Sequence, residues 1–229
     1  MALKLYYDLL SQPSRAVYIF LKASNIPFEK KVINLSKMEH LSSDYQKIHP
    51  FNKVPSIQHN DFNIIESVAI LRYLCKEFPV ADHWYPKDSK DQAKVDEYLE
   101  WQHLNTRFHC GLYFRKKYLI PLITSKPTSI EAIAKCKKNM IECLDLLENI
   151  WLKDKLFLTG SKVAIADLLG ACEIEQVRLA GYDPREGRPR LSNWLTRVAQ
   201  ITNPHYKEAH AFIELLTEEA KENMLRSKI

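Results

Sequence analysis

The stretch “LKLYYDLLSQPSRAVYIFLKAS”, residues 3–24, changes from a strand pattern to a helix pattern within one short turn. Its first part, “LKLYYD” (3–8), is apolar and aromatic, which is typical of a buried strand. Its second part, “PSRAVYIFLKAS” (13–24), begins with a proline at the first helical position, where the missing N–H costs nothing. This helix would place four apolar side chains on one face, namely Ala16, Val17, Phe20 and Leu21.

The segments that follow extend this pattern into a single sheet. “FEKKVINL” (28–35) predicts a second strand, and “SSDYQKIHP” (42–50) predicts a short helix that ends at a proline. “PSIQ” (55–58) and “NIIE” (63–66) predict the two strands of a hairpin, and “SVAILRYLCKEF” (67–78) predicts a helix. This order predicts a four-stranded mixed sheet with helices packed on it, and it resembles the thioredoxin-like fold.

The chain divides into two parts with different patterns. We expect residues 1–79 to form the thioredoxin-like domain and residues 80–89 to form a linker, because prolines interrupt the periodicity around it. Residues 90–229 are expected to form an all-helical domain, so the predicted fold class is α/β plus all-α. Its helices are predicted over residues 90–121, 130–152, 165–180, 191–201 and from 204 onward.

Composition and charge narrow the functional class. The five cysteines are odd in number and form no CxxC pair, and the eight histidines show no ligand spacing, so we expect no disulfide and no metal. The net charge of +5 is mild, and no nucleic-acid motif accompanies it. The N-terminus “MALKLYYDLL” does not resemble a signal peptide, and no apolar run approaches the ~20 residues that span a bilayer. We therefore expect a cytoplasmic protein with neither nucleic acid nor membrane as a partner.

The positions of the glycines exclude two common ligand sites. All five glycines lie at position 111 or later, so the first 79 residues contain none. A dinucleotide-binding or phosphate-binding loop needs glycines for the close approach of its backbone to the ligand. The first half of the chain is therefore not a Rossmann or P-loop domain.

Three short motifs lie at strand ends or helix starts, where ligands collect in α/β folds: “SQP” (11–13), “KVP” (53–55) and “ES” (66–67). Glu66 suits a cation and the adjoining helix start suits an anion, so together they suit the ammonium and carboxylate of an amino acid. Each motif also has a structural alternative. Ser11 and Ser67 are common helix caps, and Pro55 is compatible with either a simple strand start or a cis peptide bond.

The chain resembles the cytosolic glutathione transferases, and within them the theta class. The resemblance covers essentially the whole sequence and rests on “LLSQPSRAVYIF”, “HLS”, “KVPSI”, “ESVAILRYL”, “WYP”, “VDEYLEWQH”, “LTG” and “ADL”. The serine of “SQPSRA” is characteristic of theta and its near relatives. The mu, pi and alpha classes have a tyrosine within the first strand, and the omega class has a cysteine in place of the serine.

The resemblance implies a role for each residue of the three motifs. Ser11 is expected to donate a hydrogen bond to the glutathione thiolate, as the catalytic residue. The backbone of Val54, before a cis Pro55, is expected to pair with the cysteinyl segment as an added strand does. The full set expected to bind glutathione is Gln12, His40 and Lys53 (the last two at the glycine end), Val54, and Glu66 and Ser67 at the γ-glutamyl end.

The helical domain is expected to supply the pocket for the electrophile, with Arg107, Phe108 and Leu112 facing it. The implied reaction is conjugation of glutathione to small alkyl or aralkyl halides for detoxification, with peroxidase activity on organic hydroperoxides as a second possibility. The family forms homodimers, so we expect one here. Because the chain ends at Ile229, without the long C-terminal extension of some theta chains, we expect a more open pocket and doubtful sulfate-ester activity.

Two other classes of function compete with this interpretation. A non-catalytic binding or assembly module can use the same pair of domains, but such modules typically lose one of the three motifs. A thiol–disulfide oxidoreductase needs a cysteine where Ser11 stands, and the first cysteine of the chain is Cys75.

Overall fold

The computed structural model describes residues 3–226, with side chains described up to residue 219. Its sheet has four strands: β1 (Leu3–Tyr7), β2 (Glu29–Val32), β3 (Ser56–His59) and β4 (Phe62–Ile65). Their spatial order is β2-β1-β3-β4, with β1 parallel to β2 and β3 antiparallel to both of its neighbours. The predicted four-stranded mixed sheet is confirmed.

Three helices belong to this sheet: α1 (Gln12–Ala23), α2 (Ser43–Gln46) and α3 (Ser67–Glu77). Helix α1 is buried continuously from Pro13 to Leu21, more than an amphipathic helix on a single sheet would be. The reason is that it packs against α3 and the Tyr7 ring of β1, and also against two helices of the second half of the chain. Its N-terminus is consequently held by both halves of the molecule.

The second half is helical, as predicted. Its helices are α4 (Ser89–Leu104), α5 (Thr106–Phe114), α6 (Ile120–Thr124), α7 (Ile130–Leu146), α8 (Ile165–Glu175), α9 (Pro189–Thr202) and α10 (His205–Arg226). A short 3₁₀ turn, Asp82–Trp84, lies in the linker segment. The exact division at residues 79 and 90 stays a prediction. Within residues 3–226, no helix is both long and apolar enough to cross a bilayer.

The prediction of one continuous helix over residues 90–121 is wrong. Helix α4 ends at Leu104, and Asn105 takes a non-helical backbone conformation with φ −117° and ψ −94°. The Asn105 side chain donates to the carbonyl of Trp101 at 2.8 Å, so its amide replaces part of the helical hydrogen-bond ladder. After α5 a π-helical turn, Arg115–Leu119, leads into α6, which continues past Pro121 because that proline lies in its first turn.

Two other helices end earlier than predicted. Helix α7 stops at Leu146 and is continued by a π-helical turn to Trp151. Helix α8 stops at Glu175 and is continued by a 3₁₀ turn to Ala180. A change from α-helical to π or 3₁₀ hydrogen bonding can occur at the end of a helix, and apolar periodicity alone does not reveal it.

The core of the helical part is organised around Asp167 in the first turn of α8. Its buried carboxylate accepts from the backbone N–H groups of Leu158 and Ala164, both at 2.8 Å, and from Trp194 Nε1 at 2.7 Å. Burial raises the pKa of Asp167 to about 6, although these three donors oppose the shift. The carboxylate thus joins the loop before α8 to α9 and fixes where α8 begins.

Candidate active site

The register of the sheet brings the three motifs together. Tyr6 pairs with Ser56 across β1 and β3, and Ser56 pairs with Ile65 across β3 and β4. The end of β1, the start of β3 and the end of β4 therefore lie side by side at one edge of the sheet. The segment after β2 reaches the same edge, because Tyr7 pairs with Val32 in the parallel ladder.

Ser11 occupies the N-cap position of α1, but its side chain makes no cap hydrogen bond. Its backbone is extended, with φ −87° and ψ 124°, and its Oγ lies 3.4 Å from the carbonyl oxygen of Val54. The hydroxyl therefore faces the neighbouring motif and not its own helix. Ser14, one turn further on, is fully buried, and its Oγ has no partner among residues 3–219.

The “KVP” segment contains a cis Val54–Pro55 peptide bond. The side chain of Tyr45 holds this segment in place through two polar contacts. The Tyr45 hydroxyl donates to the carbonyl of Lys53 at 2.7 Å and lies 3.1 Å from Ser56 Oγ. Burial raises the pKa of Tyr45 to about 12, so it stays a donor. The Lys53 side chain is exposed, whereas Val54 is buried.

The “ES” motif combines an exposed carboxylate with a buried helix start. Glu66 precedes α3 with a left-handed φ of 67°, which is uncommon for a residue with a side chain. Ser67, the first residue of α3, is buried. The turn therefore points the Glu66 side chain to solvent beside the unpaired N–H groups at the start of α3, the combination expected for a zwitterion.

His40 and Gln12 lie on two further segments at this edge. His40 is in a 3₁₀ turn, Glu39–Leu41, and its buried Nδ1 has no partner in the described part of the chain. The loop before this turn is tied to the end of β1, because Leu35 N–H donates to Asp8 Oδ2 at 2.9 Å. Gln12 is the first residue of α1 and is half-buried.

The three residues predicted to face the electrophile all lie on α5. Arg107 is partly exposed, and its Nη1 lies 3.4 Å from the buried Oε1 of Glu173 on α8. Phe108 is half exposed, and Leu112 packs against the core. Their contact with an electrophile stays a prediction.

Arg15 was not among the candidate residues predicted from the sequence, although its side chain joins the turn before α1 to the helical half. Its Nη1 donates to the carbonyl of Leu9 at 2.8 Å. Its Nη2 donates to the carbonyl of Cys172 at 3.0 Å and to Gln176 Oε1 at 2.6 Å. The available signal was a charged residue four positions after Ser11, inside a run that is otherwise buried and mostly apolar.

A tyrosine in the first strand does not by itself separate the classes, because β1 contains Tyr6 and Tyr7. Tyr7 is buried and its ring stacks on that of Tyr18, with centroids 5.3 Å apart. The Tyr6 hydroxyl lies 3.4 Å from Gln58 Oε1 on β3. Both tyrosine side chains thus have structural partners within the sheet and its helix.

Two cavities lie elsewhere in the fold. One, of about 320 Å³, lies between α9, α10 and the turn 176–180, and one of about 580 Å³ lies between the linker and residues 159–162. Neither is lined by a residue predicted to bind glutathione or an electrophile. Both cavities are therefore distinct from the candidate site at the sheet edge.

A four-stranded mixed sheet of this kind, followed by an all-helical second half that packs on α1, is the arrangement of the glutathione transferases. The family model for the glutathione S-transferase N-terminal domain matches residues 1–76, and that for the C-terminal domain matches residues 113–201. Human glutathione S-transferase theta-1 is 42% identical over 93% of this chain and 89% of its own length. Mouse glutathione S-transferase theta-2 is 40% identical over 98% of this chain and 92% of its own length.

Solved structures agree with the sequence relatives. Human glutathione S-transferase T1-1 in its apo form superimposes with a TM-score of 0.90 at 41% identity, covering 94% of this chain and 91% of that one. Human glutathione transferase theta-2 in complex with glutathione and an unknown ligand gives a TM-score of 0.90 at 38% identity, covering 96% and 91%. The chain belongs to the glutathione S-transferase family, in its theta class.

Proposed function

We propose that this chain conjugates the thiolate of glutathione to small electrophiles, with Ser11 as the hydrogen-bond donor to the sulfur. As a family member it is a transferase enzyme that uses glutathione as its co-substrate. In the reaction, the sulfur forms a bond to the electrophilic carbon, the leaving group departs with its electron pair, and the thiol proton passes to solvent. The observation that carries the role of Ser11 is that its hydroxyl serves no cap and faces Val54.

The residues around Ser11 would bind the charged and polar groups of glutathione. Glu66 would pair with the γ-glutamyl ammonium, and the start of α3 at Ser67 would bind the γ-glutamyl carboxylate. The Val54 backbone would pair with the cysteinyl segment. His40 and Lys53 would bind the glycine carboxylate, and the amide of Gln12, at the first position of α1, would reach the same ligand.

Arg107, Phe108 and Leu112 on α5 would line the electrophile site. Helix α8 links α5 to α1. Arg107 on α5 contacts Glu173 of α8, and the preceding residue, Cys172, accepts a hydrogen bond from Arg15 on α1 through its carbonyl. Alkyl and aralkyl halides are the proposed substrates, and reduction of an organic hydroperoxide by two glutathiones, giving an alcohol, water and glutathione disulfide, is the proposed second activity. The chain end at Ile229, on which the expectation of an open pocket rests, lies outside the described residues.

The proposed assembly is a homodimer in the cytoplasm. Two exposed apolar side chains, Phe62 and Leu104, flank a surface where Arg72 on α3 pairs with Asp96 on α4. Phe62 also contacts the ring of Tyr73, with centroids 5.7 Å apart. A second copy would cover this apolar surface. Sedimentation of Leu104→Glu as a monomer, with the parent chain as a dimer, is the expected result.

Retention on immobilised glutathione, followed by turnover assays, tests the function. The panel contains an alkyl halide, an aralkyl halide, a sulfate ester and an organic hydroperoxide. We expect retention together with conjugation of at least one halide. Retention without turnover of any substrate favours the binding-module alternative, and no retention contradicts the site.

A further inference from the structure

Arg15 is a fully buried cation whose hydrogen-bond partners are all neutral. Its exposed fraction is 0%, and its guanidinium donates to two backbone carbonyls, Leu9 and Cys172, and to the side-chain amide of Gln176. Its Nε has no partner, and no carboxylate is hydrogen-bonded to it, among residues 3–219. A buried charge is costly without compensation, so its retention here requires an explanation.

Below neutral pH, the charged groups around Arg15 leave most of its charge uncompensated. On α8, burial raises the pKa of Glu173 to about 7, so this carboxyl is largely protonated below neutral pH. Glu175 is an anion, but it forms ion pairs with Arg178, at 3.1 Å, and with Arg185.

The remaining titratable neighbours of Arg15 are neutral. Burial raises the pKa of the Cys172 thiol to about 12 and raises that of Tyr206 as well. On α10, burial and then Arg15 itself lower the pKa of His210 to about 3. The ring of Phe212 lies 5.4 Å from the guanidinium carbon and contributes a cation–π contact. Because guanidinium groups stay protonated in proteins, Arg15 is a positive charge throughout the working pH range.

Arg15 binds the turn that carries Ser11 through both its backbone and its guanidinium. Arg15 N–H donates to the Ser11 carbonyl at 3.1 Å, which closes the first turn of α1. The guanidinium of the same residue returns to Leu9, two residues before Ser11. Backbone and side chain of Arg15 therefore hold the loop on both sides of the catalytic hydroxyl.

We propose that Arg15 is a positioning residue for the glutathione thiolate. Its side chain fixes the Leu9–Ser11 loop, and its buried charge favours the thiolate over the thiol. The inference rests on the proposed role of Ser11. At an effective dielectric constant of about 20, a charge about 10 Å away changes an ionisation by about one pKa unit. The helix start and the Ser11 hydroxyl act on the same sulfur, so Arg15 contributes one part of the total.

The test compares Arg15→Met and Arg15→Lys with the parent chain. The thiolate of bound glutathione is titrated by its ultraviolet absorbance, and kcat and KM are measured from pH 5 to pH 9. In Arg15→Met the thiol pKa should rise by about one unit, which lowers the thiolate fraction about tenfold at pH values below the parent's thiol pKa. The more basic thiolate is about threefold more nucleophilic, so kcat should fall about threefold there, and this deficit should disappear at pH 9, where both thiols are ionised. Arg15→Lys keeps the charge, so it should keep the thiol pKa while kcat falls through a looser loop.

Arg197→Met is the matched control, because Arg197 also clamps a backbone carbonyl, that of Leu156, but belongs to α9. It should leave the thiol pKa and kcat unchanged. If Arg15→Met does not fold, Arg15→Gln removes the same charge. A parental thiol pKa in either charge-free variant overturns the proposal, as does a loss of kcat that is the same at every pH. A parental rate and thiol pKa in Ser11→Ala would instead refute the role of Ser11, whatever the Arg15 variants show.

Discussion

The Ser11 hydroxyl lies 3.4 Å from the Val54 carbonyl, in the motif that is proposed to pair with the cysteinyl part of glutathione. That distance is at the long limit of a hydrogen bond, so the hydroxyl loses little when it turns to another acceptor. A thiolate that enters between the two motifs would meet a donor that is already at the site and not committed to the helix. This relationship favours a chemical role for Ser11 over a capping role.

Ser11→Ala should lose more than about tenfold in kcat at pH 7 and should recover only in part at pH 9. A thiol pKa lowered by about two units raises the thiolate fraction at pH 7 about 25-fold, but the lower nucleophilicity cancels all but about threefold of that gain. The greater part of the loss therefore comes from orientation of the sulfur. Rate measurements with an alkyl halide from pH 6 to pH 9 check this.

Ser14→Ala is the matched control for that experiment, since Ser14 is a buried serine on the same helix whose hydroxyl has no partner among the described residues. It should retain the parental rate at every pH. Parental activity of Ser11→Ala over the whole range would mean that Ser11 only begins the helix.

Glu66→Gln should weaken glutathione binding about ten- to a hundredfold. The substitution replaces a charge-assisted bond to the γ-glutamyl ammonium by a neutral one, and such bonds contribute roughly 1.5–3 kcal/mol. Calorimetric titration with glutathione measures the dissociation constant. Asp61→Asn removes the same charge from the turn at the opposite end of the β3–β4 hairpin and should leave binding unchanged. Equal affinities for the parent and Glu66→Gln would remove Glu66 from the site.

Tyr45→Phe should lower the free energy of unfolding by about 1–3 kcal/mol, because it leaves the Lys53 carbonyl and the Ser56 hydroxyl without their partner. The looser Lys53–Val54 segment should also raise the KM for glutathione several-fold. Denaturant unfolding and steady-state kinetics measure the two effects. Tyr85→Phe loses a comparable bond, to Asp96, and should lower stability without a change in KM. A KM that is equal in both variants contradicts the link between Tyr45 and the site.

The order of strands and helices could be predicted because it depends on local patterns. Alternating apolar residues, Pro13 at a helix start and the short hairpin before Glu66 each constrain their own neighbourhood. The break at Asn105 could not be predicted from the sequence. A polar residue is ordinary within an amphipathic helix, and the sequence does not reveal that the Asn105 side-chain amide donates to the backbone.

The candidate site also has a part that local patterns predict and a part that they do not. Ser11, Lys53, Val54, Glu66 and Ser67 lie at strand ends or helix starts, and the sheet register alone brings their segments together. The contacts of Arg15 could not be predicted, because its partners Cys172 and Gln176 are 157 and 161 residues away in sequence. Contacts of that range depend on how the two halves dock, which local periodicity does not determine.

Glu173→Gln should remove a pH dependence of stability that is specific to this buried carboxyl. Burial raises the pKa of Glu173 from 4.5 to about 7, so between these values the folded protein binds a proton that the unfolded chain does not. The parent should therefore lose stability as pH rises from about 4.5 to 7, by up to about 3 kcal/mol. The glutamine cannot titrate, so the stability of the parent relative to Glu173→Gln should decline over that range and level off above it.

Glu175→Gln provides a contrast of opposite sign two residues away. Burial alone would raise the pKa of Glu175, but the facing Arg185 and Arg178 hold it below its ordinary value. Its stabilising contribution is therefore present above about pH 4.5 and is lost as pH falls through the lowered folded-state value. Urea unfolding of the parent and both variants from pH 3 to pH 8 gives the two curves. A difference between the parent and Glu173→Gln that stays constant with pH would show that Glu173 is ionised throughout and held by Arg107.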